Sequence, residues 1–349
     1  MSLPIALVDR WPMEEYRLQY PNDMCLALKH SVADTLSLYQ ELQNLRGQFT
    51  GGQDKNSKRL DKSLGVLIRK KERQYFDLTK FSDYAAMTMA AFPNSQFVSS
   101  YDYKRVRDSI AGPILVRGIR SGSDIKHAEQ VGRDYYFIET GYLGNYPGEN
   151  NLTGRKVYHR IEKNAMQQTR ILDVPDDRWQ ALCRFNPKLN YMGWRKNPGD
   201  KILIVMSTEK PFNFYGEDRN FWIKNTIAAI QQHTNRPVVI REKSSRGERT
   251  KNTIYEALED VWAVVAYNSI AAVEAIQAGI PSFSLAPTAA RSISTTDLSL
   301  IDRPPLVNES VVYKWLSSIA YGQFTVDELV SGQAWELVQE NEQRPTFSY

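Results

Sequence analysis

The chain has little with which to bind a metal or cross-link itself. Of its 349 residues only two are cysteines, Cys25 and Cys183, and four are histidines, His30, His127, His159 and His233, far apart in sequence. Two thiols cannot make a disulfide framework or a zinc cluster, and the histidines lack metal-ligand spacing. Such sparing use of cysteine fits a reducing cytoplasm. Long apolar runs are missing as well. The most apolar stretch, Val261 to Ile276, is interrupted by Asn268, Ser269 and Glu274, whereas a spanning helix needs about 20 mostly apolar residues. The opening residues MSLPIALVDRWP have no basic segment before their short apolar run, so they do not read as a signal peptide. A cytoplasmic protein without membrane contact is the expectation. No GxGxxG follows a predicted strand, and GxxxxGK with Ser or Thr, GxSxG and HExxH do not occur. These absences argue against a dinucleotide-dependent oxidoreductase, a P-loop kinase, an elbow-type hydrolase and a zincin.

What is present belongs to a folded protein. The 42% hydrophobic and 24% charged residues exclude disordered, collagen-like and coiled-coil classes. The length suggests two domains at roughly 150 residues each. The 44 Lys and Arg nearly balance 40 Asp and Glu, so the total says little about partners and the distribution says more. Positive charge collects in the Gly-containing loop Gly47 to Lys62 and just beyond it, as Lys55, Lys58, Arg59, Lys62, Arg69, Lys70, Lys71 and Arg73. It collects again between Lys104 and Arg120, with Arg105, Arg107 and Arg117. A solvated helix face and loop would carry the same charges; the functional alternative is a polyanion-binding half. The 19 Tyr and 7 Trp are first of all packing material.

Periodicity predicts strands at Ile5 to Val8, Gln96 to Ser99, Ile114 to Arg117, Tyr135 to Ile138 and Lys156 to Ile161. Helical spacing marks Asp23 to Leu45, Ser82 to Ala91 and Ser123 to Val131. The stretch Asn164 to Pro198, with Pro175, Pro187 and Pro198, reads as the connection between halves. The second half is more regular. Its strands are KILIVM from Lys201, PVVIR from Pro237, WAVVA from Trp262 and PSFSL from Pro281. Helical segments Arg219 to His233, Thr253 to Leu258 and Ile270 to Ala278 alternate with them, as in a doubly wound parallel sheet. Two more helices are expected at Ser310 to Ala320 and Val326 to Gln339. The fold class is therefore α/β, with Rossmann-like domains over 1–195 and 196–349.

Ligands of open α/β sheets bind beyond the C-terminal ends of the strands. There the second half delivers Ser207 and Thr208, then Arg241 and Lys243, then Tyr267, Asn268 and Ser269, and finally Arg291, Ser292, Ser294 and Thr295. Asn268 or Ser269 can cap the following helix, whose free N–H groups favour an anion. Glu274, five residues beyond Ser269, can accept hydrogen bonds from ribose or sugar hydroxyls. An ordinary cap and a solvent-facing glutamate would give the same pattern. In the first half, Arg117, Gly118, Arg120, Ser121, Gly122, Ser123 and Asp124 follow the ILV strand. The arginines suit phosphate, and Asp124 is a candidate general base or a simple helix cap. Glu139, after the YYFI strand, is the second candidate base.

The segment YNSIAAVEAIQAGIP, with Asn268-Ser269, Glu274-Ala275 and Gly279-Ile280-Pro281, resembles the donor-binding domain of GT-B glycosyltransferases of the capsule-polysaccharide and Kdo-transferase-like group. The resemblance covers Lys201 to Ser294. The segments DYYFIETGYLGN, KVYHRIEKNAMQ and WLSSIAYGQFTVDELVSGQAWE resemble uncharacterised proteins of tailed bacteriophages. Some phage genomes encode glycosyltransferases of similar architecture that decorate 5-hydroxymethylated pyrimidines in DNA. No segment matches the best-known phage DNA glucosyltransferases. The resemblance implies two Rossmann-like halves facing across a cleft. It implies a nucleotide-sugar donor, a UDP-sugar first among them, held by Ser207, Arg241, Lys243, Asn268, Ser269, Glu274 and Ser294 without a metal. Asp124 or Glu139 would deprotonate the acceptor. Lys55, Lys58, Arg59, Arg69, Lys70, Lys71, Arg117 and Arg120 would hold double-stranded DNA carrying hydroxymethylated bases, in a host cytoplasm if a phage encodes the chain. A polysaccharide-directed GT-B enzyme and a non-catalytic phage DNA-binding protein are the competing expectations.

Overall fold

A computed structural model of the chain describes residues 6–9, 96–99, 103–119, 122–145, 158–243 and 253–349. The chain packs as two units. The first comprises 1–117, 127–135 and 329–332, and the second 118–126, 136–328 and 333–349. The boundary expected near residue 195 falls inside the second unit. The helical segments read at 23–45 and 82–91, and the basic loop, lie outside the described residues.

In the first unit, β1 (Ala6–Asp9) lies between β2 (Gln96–Ser99) and β3 (Ile114–Arg117), parallel to both. Ala6 is in register with Gln96 on one side and Ile114 on the other. The short helix α1 (Tyr103–Val106) buries Tyr103, and Arg133 donates to the Ile110 carbonyl at 2.8 Å. Helix α2 (Gly122–Gln130) and strand β4 (Tyr135–Thr140) each contribute residues to both units.

The second unit holds two sheets. In one, β5 (Tyr158–Lys163) lies between β4 and β10 (Gln323–Thr325), antiparallel to both. This ribbon departs from the Rossmann-like pattern expected of the first half, because its strands pair antiparallel rather than parallel. The other sheet is the parallel one expected, in the order β7 (Val238–Arg241), β6 (Lys201–Val205), β8 (Val261–Ala266), β9 (Ser282–Ser284). Its central strands are buried on both faces, which explains their unbroken apolar runs. Leu203, Val205, Val264 and Ala266 join one core cluster, while Ile202, Ile204, Ala263 and Val265 join another. The edge strand β7 is more open, with Val239 and Ile240 exposed.

Helices α4 (Glu209–Tyr215), α5 (Arg219–Gln231), α6 (Ile254–Ala257) and α7 (Ala271–Gln277) follow β6, β7 and β8 in turn along the chain. The stretch read as a bare connection contains α3 (Asp177–Phe185). Trp179, Leu182 and Cys183, spaced i, i+3 and i+4, form its buried stripe. They share a core cluster with Trp315, Leu316 and Ile319 of α8 (Glu309–Tyr321). The C-terminal helical stretch is two helices, α9 (Val326–Ser331) and α10 (Gln333–Gln343). Burial raises the Cys183 thiol to about 11, so it packs as a small apolar group.

A polar network ties the ribbon to α8. Gln323 accepts the backbone N–H groups of Tyr142 at 2.8 Å and Leu143 at 2.9 Å, and donates to the Leu143 carbonyl at 3.0 Å. The Tyr142 hydroxyl donates to Glu162 at 3.1 Å and accepts the Gln168 N–H at 2.8 Å. Ser318 of α8 accepts from the Gln168 amide at 2.5 Å and from the Leu172 N–H at 2.8 Å. Burial holds the Glu162 carboxyl up at about 7, against the pull of Tyr142, Arg160 and Arg170.

Candidate active site

Strand register builds the rim of the parallel sheet. Val205 pairs with Arg241 and with Ala266, and Ala266 pairs with Ser284. The residues after these positions therefore emerge along one edge, as in other open parallel sheets. Hydrogen bonds knit that edge together. The Met206 N–H donates to the Arg241 carbonyl at 3.0 Å, and the Leu285 N–H to the Ala266 carbonyl at 3.0 Å. The buried Ser207 hydroxyl donates to the Tyr267 carbonyl, and the Asn268 side-chain amide to that of Pro287. Ser294 donates to the Ser284 hydroxyl at 2.8 Å, and Arg291 holds the Ser284 carbonyl at 2.9 Å.

The turn from β8 into α7 differs from the sequence expectation. Ile270, not Asn268 or Ser269, is the N-cap of α7. Asn268 instead takes a left-handed conformation with φ 47°, which asparagine tolerates better than most side chains. The Ser269 hydroxyl still accepts the Ala271 N–H at 3.3 Å. Glu274 sits in the first turn of α7 and is half-buried rather than solvent-facing. Arg241 is half-buried at the end of β7, with Lys243 exposed two residues on. Between them, Glu242 forms an ion pair with Arg219 of α5.

Aromatic side chains lie under this rim, and sequence reasoning missed them along with α4. The Tyr267 ring stacks on Phe212 with centroids 3.9 Å apart and an interplanar angle of 7°. Trp222 meets it edge-on at 5.2 Å and Tyr215 at 6.4 Å. Burial, aided by Glu217 and Tyr215, pushes the Tyr267 hydroxyl up to about 12, so it stays neutral. The signal for α4 was punctuation. Thr208 precedes it, Pro211 falls in its first turn where proline is tolerated, and Gly216 closes it with φ 76°. The N-terminal half of α2 packs on α4: Lys126 lies 4.9 Å over the Phe214 ring. A Cβ on Gly122 would come within 2.7 Å of that ring, so only glycine allows this approach.

The two candidate bases differ in access. Asp124 is inside α2 rather than at its cap, is only 6% exposed, and takes a hydrogen bond from Ser123 at 3.3 Å. Glu139 is half-buried on β4. Its Oε1 accepts from the Thr140 N–H at 2.9 Å and the Thr140 hydroxyl at 3.3 Å. A Cβ at Gly118, whose φ is +61°, would stand 2.6 Å from Oε2. Glycine there makes room for the carboxylate.

Of the expected acceptor residues, Arg117 is half-buried at the end of β3 in the first unit. Lys55, Lys58, Arg59, Arg69, Lys70, Lys71 and Arg120 lie outside the described residues. Lys104 and Arg105 are exposed on α1. Among the described residues no group of three His, Cys, Asp or Glu side chains is placed to hold a metal ion, and no helix is long and apolar enough to cross a membrane.

No family model matches the chain, and no curated protein matches it. Among solved structures it is similar to the β-Kdo 2,7-transferase of Thermosulfurimonas dismutans KpsC, with 13% identity and a TM-score of 0.43 over 73% of this chain and 95% of that one. It is also similar to the β-Kdo 2,4-transferase of the same protein, with 10% identity and a TM-score of 0.41 over 70% of this chain and 93% of that one. A similarity this distant assigns neither residues nor activity.

Proposed function

We propose that the chain is a glycosyltransferase that moves a sugar from a nucleotide-sugar donor to a hydroxyl acceptor. The observation that carries this is the C-terminal rim of the parallel sheet. Its strand ends present a half-buried arginine, an exposed lysine and several hydroxyls and amides along one hydrogen-bonded edge. The chief electrostatic demand in such a reaction is the charge that gathers on the departing diphosphate. Arg241 and Lys243 would neutralise it, while Asn268 and Ser269 orient the phosphates and Glu274 accepts from sugar or ribose hydroxyls. Ser207 and Ser294, whose hydroxyls donate to the Tyr267 carbonyl and to Ser284, would hold the rim in shape rather than reach the donor. A UDP-sugar is the first donor to test.

Glu139 is the better-placed base, since Asp124 is nearly enclosed. It would take the acceptor's proton as the acceptor oxygen bonds to the sugar's anomeric carbon and the bond to the diphosphate breaks. For the acceptor we propose a 5-hydroxymethylpyrimidine in double-stranded DNA. The cations between Lys55 and Arg73, with Lys104, Arg105, Arg117 and Arg120, support a polyanion in that role.

The test is thermal shift and turnover with a panel of nucleotide sugars, with and without hydroxymethylated DNA. A donor that raises the melting temperature and transfers its sugar to that DNA is the expected result. Arg241→Ala should weaken donor binding at least tenfold, about 1.4 kcal/mol, while Lys58→Ala leaves it unchanged. Equal effects of the two substitutions would remove the role given to Arg241. No shift with any nucleotide sugar would overturn the transferase proposal. Transfer to polysaccharide alone would overturn the DNA acceptor, and salt-sensitive DNA binding without turnover would favour a non-catalytic binder.

A further inference from the structure

The parallel sheet has a recess at the end opposite the rim. It is a half-open cavity of about 200 Å³ where β8 and β9 begin, between Trp194, Trp262, Pro198, Pro281 and Leu306. Strand β8, six residues long, separates the two ends, a span of about 20 Å. We infer that this recess is a separate saccharide-binding site, taking one sugar ring of a longer saccharide.

Its walls are fixed in advance. The Trp262 indole N–H donates to the Ile301 carbonyl at 2.9 Å, and that of Trp194 to the Val307 carbonyl at 2.8 Å. The Arg236 guanidinium lies 3.8 Å from the Trp262 ring centroid and pairs with Asp200 and Asp302. Behind them the chain is stapled: Arg195 donates from its N–H to the Gly279 carbonyl at 3.0 Å, from Nε to Ala278 at 3.1 Å and from Nη1 to Leu258 at 2.6 Å. Gly279 has φ +77°, and a Cβ there would lie 2.3 Å from the Gly193 carbonyl oxygen. The glycine of the Gly279-Ile280-Pro281 step thus brings the two wall segments together.

The chemistry left to a ligand is specific. Both indole donors are spent, so the tryptophans offer hydrocarbon and π surface only. A polyproline segment, which has no internal hydrogen bonds, would find no indole donor for its carbonyls. A purely aliphatic ligand would leave the charged mouth unused. That mouth carries Asp302 and Arg303, adjacent and both exposed. An acceptor carboxylate beside a donor guanidinium matches neighbouring hydroxyls at the edge of a pyranose ring. The ring's C–H face would lie against indole and proline. At about 200 Å³ the cavity is smaller than a drug-sized site and has room for a single ring, with the mostly apolar walls and few placed polar groups of small-molecule sites.

The experiment titrates the full chain with maltose, cellobiose and N,N′-diacetylchitobiose, followed by tryptophan fluorescence and saturation-transfer NMR, with UDP present and absent. Saturable binding of at least one disaccharide, unaffected by UDP, is expected. Trp262→Leu should weaken it at least tenfold. Arg303→Ala, an exposed change that leaves the fold intact, should weaken it several-fold. Three results would each overturn the site: no saturation with any of the three, displacement of the sugar by UDP, or undiminished affinity in Arg303→Ala. Saturation by a decaproline peptide but by no sugar would likewise overturn it. These outcomes are independent of whether the rim at the other end binds a donor.

Discussion

At the scale of single residues, the environment of Glu139 decides which carboxylate can work. One oxygen is held by Thr140 and the other faces the space that Gly118 leaves. A carboxylate held this way can still receive a proton without its side chain having to reorient. General-base catalysis contributes about 10²–10⁴-fold, so Glu139→Gln should lower kcat by roughly that factor and leave donor affinity unchanged. Turnover and calorimetric donor binding, compared in the same protein, check this. A kcat within twofold of the parent would take the base role away from Glu139. Both carboxylates were visible in the sequence at their positions in the chain, one at a strand end and one at a helix start. Their burial was not, because it depends on what α2 packs against. The left-handed turn at Asn268 was equally hidden: an asparagine before a serine reads as a cap until the backbone shows otherwise.

At the scale of elements, the parallel sheet was legible because β6 and β8 are buried on both sides and so spell continuous apolar runs. The connection read at 164–198 was misjudged for the opposite reason. Its prolines suggest broken chain, yet Pro175 and Pro187 stand outside α3 on either side and mark its ends. A nine-residue helix offers only one apolar stripe, Trp179, Leu182 and Cys183, too short to stand out by periodicity. That stripe carries much of the packing against α8. Leu182 is 2% exposed, so Leu182→Ala should cost about 2–5 kcal/mol. Urea unfolding would show it as a lower midpoint with an unchanged slope. A loss below about 0.5 kcal/mol would mean that α3 is peripheral to the core.

At the scale of the whole molecule, Glu162 should make stability depend on pH. An acid whose pKa is higher folded than unfolded contributes fully below its unfolded value, here 4.5. The contribution is lost as pH rises through the folded value of about 7. Stability should therefore fall between pH 5 and pH 8, by up to about 3 kcal/mol and less because the side chain keeps some contact with solvent. Glu162→Gln, which keeps an acceptor for Tyr142, should flatten this dependence and be the more stable protein at pH 8. Denaturation curves at both pH values test it; parallel slopes for parent and variant would exclude Glu162 as the source.

The interleaving of the two packing units bears on how the protein is made. The second needs 118–126 as well as 333–349, and the first takes 329–332 into itself. A nascent chain folds from its N-terminal end as domains emerge from the ribosome. Here neither unit has all its parts until residue 332 has emerged, and the second waits for the helix that follows. Folding of both units therefore waits for residues beyond 328, and β5 waits for its partner β10, which pairs with it from Gln323 onward.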